Sequence, residues 1–265
     1  MIQTSAQAYQ RDRRVVIAGI VLISLLSWVY LFVLATPDNS GHPDHASAHA
    51  VMQPPAMAAW NGDLLALSIV MWSVMMIAMM LPTATPMMLS FTRLQHQREA
   101  TAKAIRLTAW FSAGYLGTWI VFSVAAAFAQ WALYSSNLMT STMGSATPLL
   151  AGAILVAAGL FQRSGLKEAC LSKCRSPLNF LLDEWRPGSR GALVMGLRHG
   201  LFCVGCCWVL MLLMFVGGVM NLTWMAAITI YVLLEKILPT VRMFASWTGF
   251  FLVLAGVVSW GLGLG

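Results

Sequence analysis

Seven apolar runs dominate this chain, near 15–35, 64–90, 107–131, 147–163, 192–216, 222–241 and 244–263. Crossing a hydrocarbon core about 30 Å thick takes roughly 20 helical residues, and these runs reach or approach that length. They do not alternate apolar with polar residues, as barrel strands do over about 10 residues. A backbone in lipid must satisfy its own polar groups, and a helix does so within one segment. The expected fold class is therefore all-α, a polytopic transmembrane helix bundle of about seven spans. Of the 265 residues, 59% are hydrophobic and 9% are charged, whereas a soluble domain carries about 25% charged residues. This excludes a soluble globular enzyme, a disordered chain and a nucleic-acid module.

The basic residues set the expected orientation. Arg11, Arg13 and Arg14 precede the first run, and Arg93, Arg98, Lys103 and Arg106 separate the second from the third. Arg163, Lys167, Lys173, Arg175, Arg186 and Arg190 fall between the fourth and fifth. Arg198 opens the fifth run, and Lys236 and Arg242 flank the junction of the last two. With the N-terminus cytoplasmic and the C-terminus outside, all 16 basic residues lie on or near the cytoplasmic side, as the positive-inside rule requires. The net charge of +7 then needs no nucleic-acid partner. The expected partner is the lipid bilayer, and the expected location is a bacterial inner membrane.

Three parts follow. Residues 1–35 form a basic N-terminus and first anchor, and residues 36–63 an outer loop containing His and Pro. Residues 64–265 form a six-span domain with a cytoplasmic loop at 164–191. The first run is read as retained, because its length of about 20 exceeds the 7–15 residues of a signal-peptide core. Pro82 and Pro86 should break or kink the second run, since each removes a backbone donor. Asn221 should cap the helix that follows it.

Soft metal donors are grouped. Cys203, Cys206 and Cys207 lie in HGLFCVGCCW, with His199 one turn earlier. On a helix, residues 199, 203, 206 and 207 stand at about 0°, 40°, −20° and 80°, so all four share an arc of about 100°. One helix offers two or three thiols to an ion, and another element must complete the site. Cys170 and Cys174, spaced i,i+4 in KEACLSKCRSP, are the second pair. On the cytoplasmic side they should stay reduced, with Lys167, Lys173 and Arg175 nearby to favour thiolates. Met75, Met76, Met79 and Met80 belong to a Met-rich second run, and thioethers suit Cu(I) in apolar surroundings. His42, His45 and His49 form a weaker outer-loop candidate set, read equally well as a polar loop. Glu235 and Lys236 read as an interface ion pair or anchor, or as functional intramembrane charges. Cys203 and Cys206 also have the CxxC spacing of a redox dithiol.

The segments MWSVMMIAMMLPTATPM (71–87), LKEACLSKCRSPLNF (166–180), GLRHGLFCVGCCWVLMLLMFVGGVMNLTWM (196–225) and EKILP (235–239) together resemble the bacterial family of predicted metal-binding integral membrane proteins, a domain of unknown function. The resemblance implies metal binding through Cys170, Cys174, His199, Cys203, Cys206 and Cys207. The outer-loop histidines lie outside it.

The resulting expectation is a membrane protein that handles a soft metal by transport or delivery. Copper as Cu(I) is the first choice, with zinc and iron as alternatives. Its partner would be a metallochaperone or a membrane metalloenzyme. A thiol-disulfide or electron-transfer component and a structural assembly factor are the alternative functions. No catalytic motif or nucleotide-binding loop is present.

Overall fold

The computed structural model describes residues 2–36, 62–98, 101–139, 146–238 and 242–263. Among these residues the chain is helical, with no strand and one isolated antiparallel bridge between Met139 and Ala146. The helices are α1 (Ile2–Ala35), α2 (Gly62–Thr83), α3 (Thr85–Arg98), α4 (Thr101–Ser135), α5 (Pro148–Gln162), α6 (Gly165–Arg175), α7 (Pro177–Asp183), α8 (Gly188–Leu212), α9 (Met214–Gly217), α10 (Leu222–Ile237) and α11 (Arg242–Gly263). His42, His45 and His49 lie outside the described residues.

Local chemistry accounts for the boundaries. The second apolar run breaks at Ala84, between Pro82 and Pro86, as expected from their missing donors. Pro148 and Pro177 open α5 and α7, where a proline's missing N–H is harmless. Ser164 accepts a hydrogen bond from the Lys167 amide at 3.2 Å and caps α6. Asn221 caps α10 in the same way, accepting from the Trp224 amide at 3.1 Å.

Among the described residues, five helical stretches are long and apolar enough to cross a membrane: Gln7–Ala35, Gly62–Thr83, Lys103–Ser135, Gly188–Gly217 and Phe244–Gly261. A sixth crossing is available if α5 and α6 act as one span bent by 63°. The expected count of seven is not reached, because α10 has only 16 residues before its cap at Leu238. Residues 239–241, the end of the sixth run, are outside the description. Residues 164–191, expected as a cytoplasmic loop, are largely helical. They form α6 and α7, which pack on the bundle. Lys167, Leu171 and Cys174, at i, i+4 and i+7, make the buried face of α6.

The packing is built around α8. It lies against α4 over most of its length and carries α6 on its other side. Helix α2 packs on α4, α1 covers α2 and α3, and α10 bridges α2, α6 and α8. Helices α5 and α11 form a second, close pair. Glycines permit that approach. A Cβ at Gly256 would stand 2.8 Å from the Gly152 carbonyl oxygen, and one at Gly249 would stand 2.7 Å from that of Gly159. Small residues of this kind let helix backbones touch where apolar surroundings provide no other drive to associate.

The core is dominated by methionine and aromatic side chains. Met75, Met76, Met79 and Met80 are fully buried with Trp72, Tyr115 and Trp119. The outer faces of α1 and α11 are apolar as well. Leu22, Leu26, Phe32, Phe244 and Phe251 are each more than half exposed.

Replacing Gly159 by Leu should destabilise the α5–α11 pair by about 1–3 kcal/mol, because the overpacked backbones must separate. Gly165→Ala is the control, since a Cβ there meets nothing within 4 Å. Unfolding midpoints in detergent would check this: the first variant melts lower, and the second melts with the parent.

Candidate metal centre

The site is set by the contact of α4 with α8. A Cβ on Gly114 would collide with the Leu193 carbonyl oxygen, and one on Gly196 with that of Phe111. Gly200 faces Thr118, whose hydroxyl donates to the Leu197 carbonyl at 3.2 Å. Gly196 and Gly200 are four residues apart on α8, the spacing that lets a helix surface lie flat against a neighbour. This contact brings Tyr115 to Cys203. The Tyr115 hydroxyl lies 3.2 Å from Cys203 Sγ and donates to the Met80 carbonyl at 3.0 Å.

Cys203 is the centre of the cluster. Lys236 Nζ, from the end of α10, donates to Cys203 Sγ at 3.1 Å and to Thr83 Oγ1, at the end of α2, at 2.7 Å. The Cys174 thiol, from α6, neighbours both Cys203 and Cys206. Cys206 and Cys207 aim their thiols at the Cys203 carbonyl, at 3.1 and 3.0 Å. Cys174, Cys203, Cys206 and Cys207 are therefore brought together from two elements. Cys170 sits one turn away, its Sγ against the backbone of Gly205. All five cysteines are free.

The thiols of α6 are held in their protonated form. Contacts with Cys203 and Cys206, followed by burial, push Cys174 well above the usual thiol range. Burial, then the proximity of Cys206, pushes Cys170 up. The expectation that nearby basic residues favour thiolates in this segment is corrected here. Lys167 is committed to Glu235 at 2.7 Å, Lys173 to Asp183 at 2.9 Å, and Arg175 Nε to the Glu235 carbonyl at 2.7 Å.

His199 is buried in an aromatic cage, with ring centroids of Phe180, Tyr115 and Phe111 at 5.4, 5.5 and 6.1 Å. Its Nδ1 has no hydrogen-bond partner. A cavity of about 190 Å³ adjoins it, lined by Cys174, His199, Lys236, Arg175, Thr83 and Met87, with Pro86, Pro177 and Ile237 at its edges. Met80 reaches the cluster through its carbonyl, while Met75, Met76 and Met79 are buried in the same core.

Among the described residues, no three of His, Cys, Asp and Glu already stand in a metal-holding arrangement. The orientation of Cys206 and Cys207 explains this, because both point at one carbonyl instead of a common centre. The donor set nonetheless suits a soft ion: four neighbouring thiols and the imidazole of His199, whose Nδ1 is unsatisfied and whose ring borders the adjoining cavity.

The sequence reading named Glu235, Lys236 and Lys167 without their partners, and it missed Tyr115. Lys236 and Glu235 do not pair with each other. They point apart, Lys236 to Cys203 and Glu235 to Lys167. Tyr115 gave no signal of its own, although Gly196 and Gly200 mark the close crossing that delivers it. The Lys167–Glu235 pair is almost fully buried, and Gln162 and Tyr231 complete it. Lys167 donates to Gln162, and Tyr231 donates to Glu235 Oε1 at 2.8 Å.

An all-helical chain with long apolar helices and soft donors gathered on its central helix has the character of a metal-handling protein. Residues 69–259 match the family model described as PpoB2, copper chaperone, and the chain belongs to this copper chaperone family. The match includes every predicted thiol and thioether and leaves out the outer-loop histidines. Of the metals expected, copper is the one the family description names. No curated protein and no solved structure matches the chain.

Lys167→Met alone should cost about 3–5 kcal/mol, because it leaves Glu235 buried and unpaired. Adding Glu235→Gln should recover more than half of that loss. Denaturant titration of the single and double variants would measure both.

Proposed function

We propose that this protein is an integral membrane copper handler that accepts Cu(I) at its thiol cluster and delivers it to a membrane metalloenzyme. The observation carrying this reading is the meeting of Cys174, on α6, with Cys203 and Cys206, on α8. Thiols from separate elements of an apolar bundle form a place where Cu(I) can be held by sulfur alone, the ligand type it prefers. Cys203, Cys206 and Cys174 would hold the cargo. Cys207, His199, Cys170 and the methionines Met75, Met76, Met79 and Met80 would supply exchange partners. His42, His45 and His49 would serve as an outer capture group.

The membrane placement rests on the apolar helices and on the basic residues. Thr83 ends α2 and Lys236 lies near the end of α10. With the N-terminus cytoplasmic, both of these helix ends face the cytoplasm, and so does the cavity beside Cys174 and His199. Seven crossings, with the sixth completed beyond Leu238, would place Gly265 outside.

Two measurements test this. The purified protein, loaded anaerobically with Cu(I), Zn(II) or Fe(II), should retain stoichiometric copper, and the Cys203→Ser/Cys206→Ser/Cys207→Ser variant should lose it. A folded parent that retains no copper refutes the reading. A phosphatase reporter fused after Gly265 should be active on the outer side and inactive when fused after Ser176. The reverse pattern refutes the orientation.

A further inference from the structure

The cavity beside the thiol cluster has an unusual charge for a metal route. Two cations line it, Arg175 and Lys236, together with Cys174, His199 and Met87, and among the described residues no carboxylate does. The carboxylates nearby in sequence are engaged elsewhere: Glu235 by Lys167, Asp183 by Lys173, and Glu184 by Arg198. Arg175 also borders the neighbouring cavity, where Glu168 stands, without an ion pair between the two. Its Nε hydrogen bond goes to the uncharged Glu235 carbonyl. Lys236 reaches from this cavity to Cys203 at 3.1 Å. A bare Cu(I) cation would be repelled by such a lining. A two-coordinate thiolate complex of Cu(I), which carries one net negative charge, would be attracted by it.

We propose, building on the copper reading above, that the cargo enters this cavity as an anionic Cu(I) bis-thiolate complex, selected by Arg175 and Lys236, and is transferred there to Cys174 and Cys203. The transfer is a ligand exchange at constant oxidation state. Each new Cu–S bond to a cysteine replaces one Cu–S bond to an incoming thiolate. A protonated cysteine passes its proton to the departing sulfur, which leaves as a thiol; at a cysteine thiolate the departing sulfur leaves as a thiolate, so charge balances either way. Copper stays Cu(I), and the two-coordinate complex keeps its single negative charge. Arg175 and Lys236 are thus balanced by the same charge before and after. These two side chains are positioning residues, acting on the charge of the complex and not as ligands.

The test uses the full-length protein in detergent without oxygen. Cu(I) is supplied as its glutathione complex, as its complex with a CxxC peptide, or as the cationic acetonitrile complex. Copper per protein is read at timed points after rapid desalting. The parent should load faster from both thiolate complexes than from the cation, and added salt should slow those two reactions. Arg175→Gln and Lys236→Gln together should slow thiolate loading about tenfold or more, the usual scale of charge steering. Loading from the cationic complex should become faster, because the charges that repel it are gone. Lys236→Arg should keep the thiolate preference. Arg175→Gln alone, at a half-buried position, should show a smaller slowing and serves if the double variant does not fold. Faster loading from the peptide marks a protein donor and faster loading from glutathione a small thiol, and either order supports an anionic cargo. Equal rates from all three complexes in parent and variants overturn the proposal while leaving copper binding intact. A parent that takes copper from none of them overturns the copper reading itself, and this inference with it.

Discussion

The backbone contact between α4 and α8 is the constraint on which the thiol cluster depends. Gly114, Gly196 and Gly200 leave no room for a side chain between the two helices. Any Cβ at these positions would push α4 outward and carry Tyr115 with it. Tyr115 joins α2, through the Met80 carbonyl, to Cys203 on α8. A small separation of α4 from α8 would therefore open the side of the cluster opposite α6. Among apolar helices, where burial does not distinguish one partner from another, such close crossings are the main source of a fixed register.

Two lysines, Lys167 buried and Lys236 half-buried, give the second layer of organisation, and they solve different problems. Lys167 finds a carboxylate, and Gln162 and Tyr231 take up further polar atoms of the pair. A pair completed in this way locks α6 to α10, and α6 carries Cys174. Lys236 finds no carboxylate among the described residues, only a hydroxyl and a thiol. A cation so placed keeps an affinity for negative charge. The adjacent residues Glu235 and Lys236 thus divide the work: one holds the frame around the site, and the other faces into it.

Much of this was legible in the chain. Pro82 and Pro86 announce the break at Ala84, Asn221 announces its cap, and the shared arc of His199, Cys203, Cys206 and Cys207 follows from helical spacing. The i,i+4 spacing of Cys170 and Cys174 gave their common helix, but not where it docks. The buried face of α6 was visible as Lys167, Leu171 and Cys174, yet a lysine at its head disguised it as a solvated stretch. Lys236 was ambiguous for a physical reason. A lysine at a helix end can turn to the interface or inward, and only a partner on another helix decides. Thr83 and Cys203 are that partner, and they are 120 residues apart in sequence.

The arrangement of the thiols bears on what kind of copper protein this can be. A resident cofactor site is completed by ligands already aimed at the ion, and such a site releases its metal slowly. Here Cys206 and Cys207 are turned toward the Cys203 carbonyl. Cys174 reaches the cluster from a short helix held on the bundle by a single buried ion pair and its apolar face. In this arrangement Cys206 and Cys207 must turn before they bind. A protein that hands copper onward needs this property, because sulfurs that bind one after another can release their ion in the same stepwise manner. The incomplete geometry of the cluster thus fits a chaperone better than it would fit a permanent metal centre.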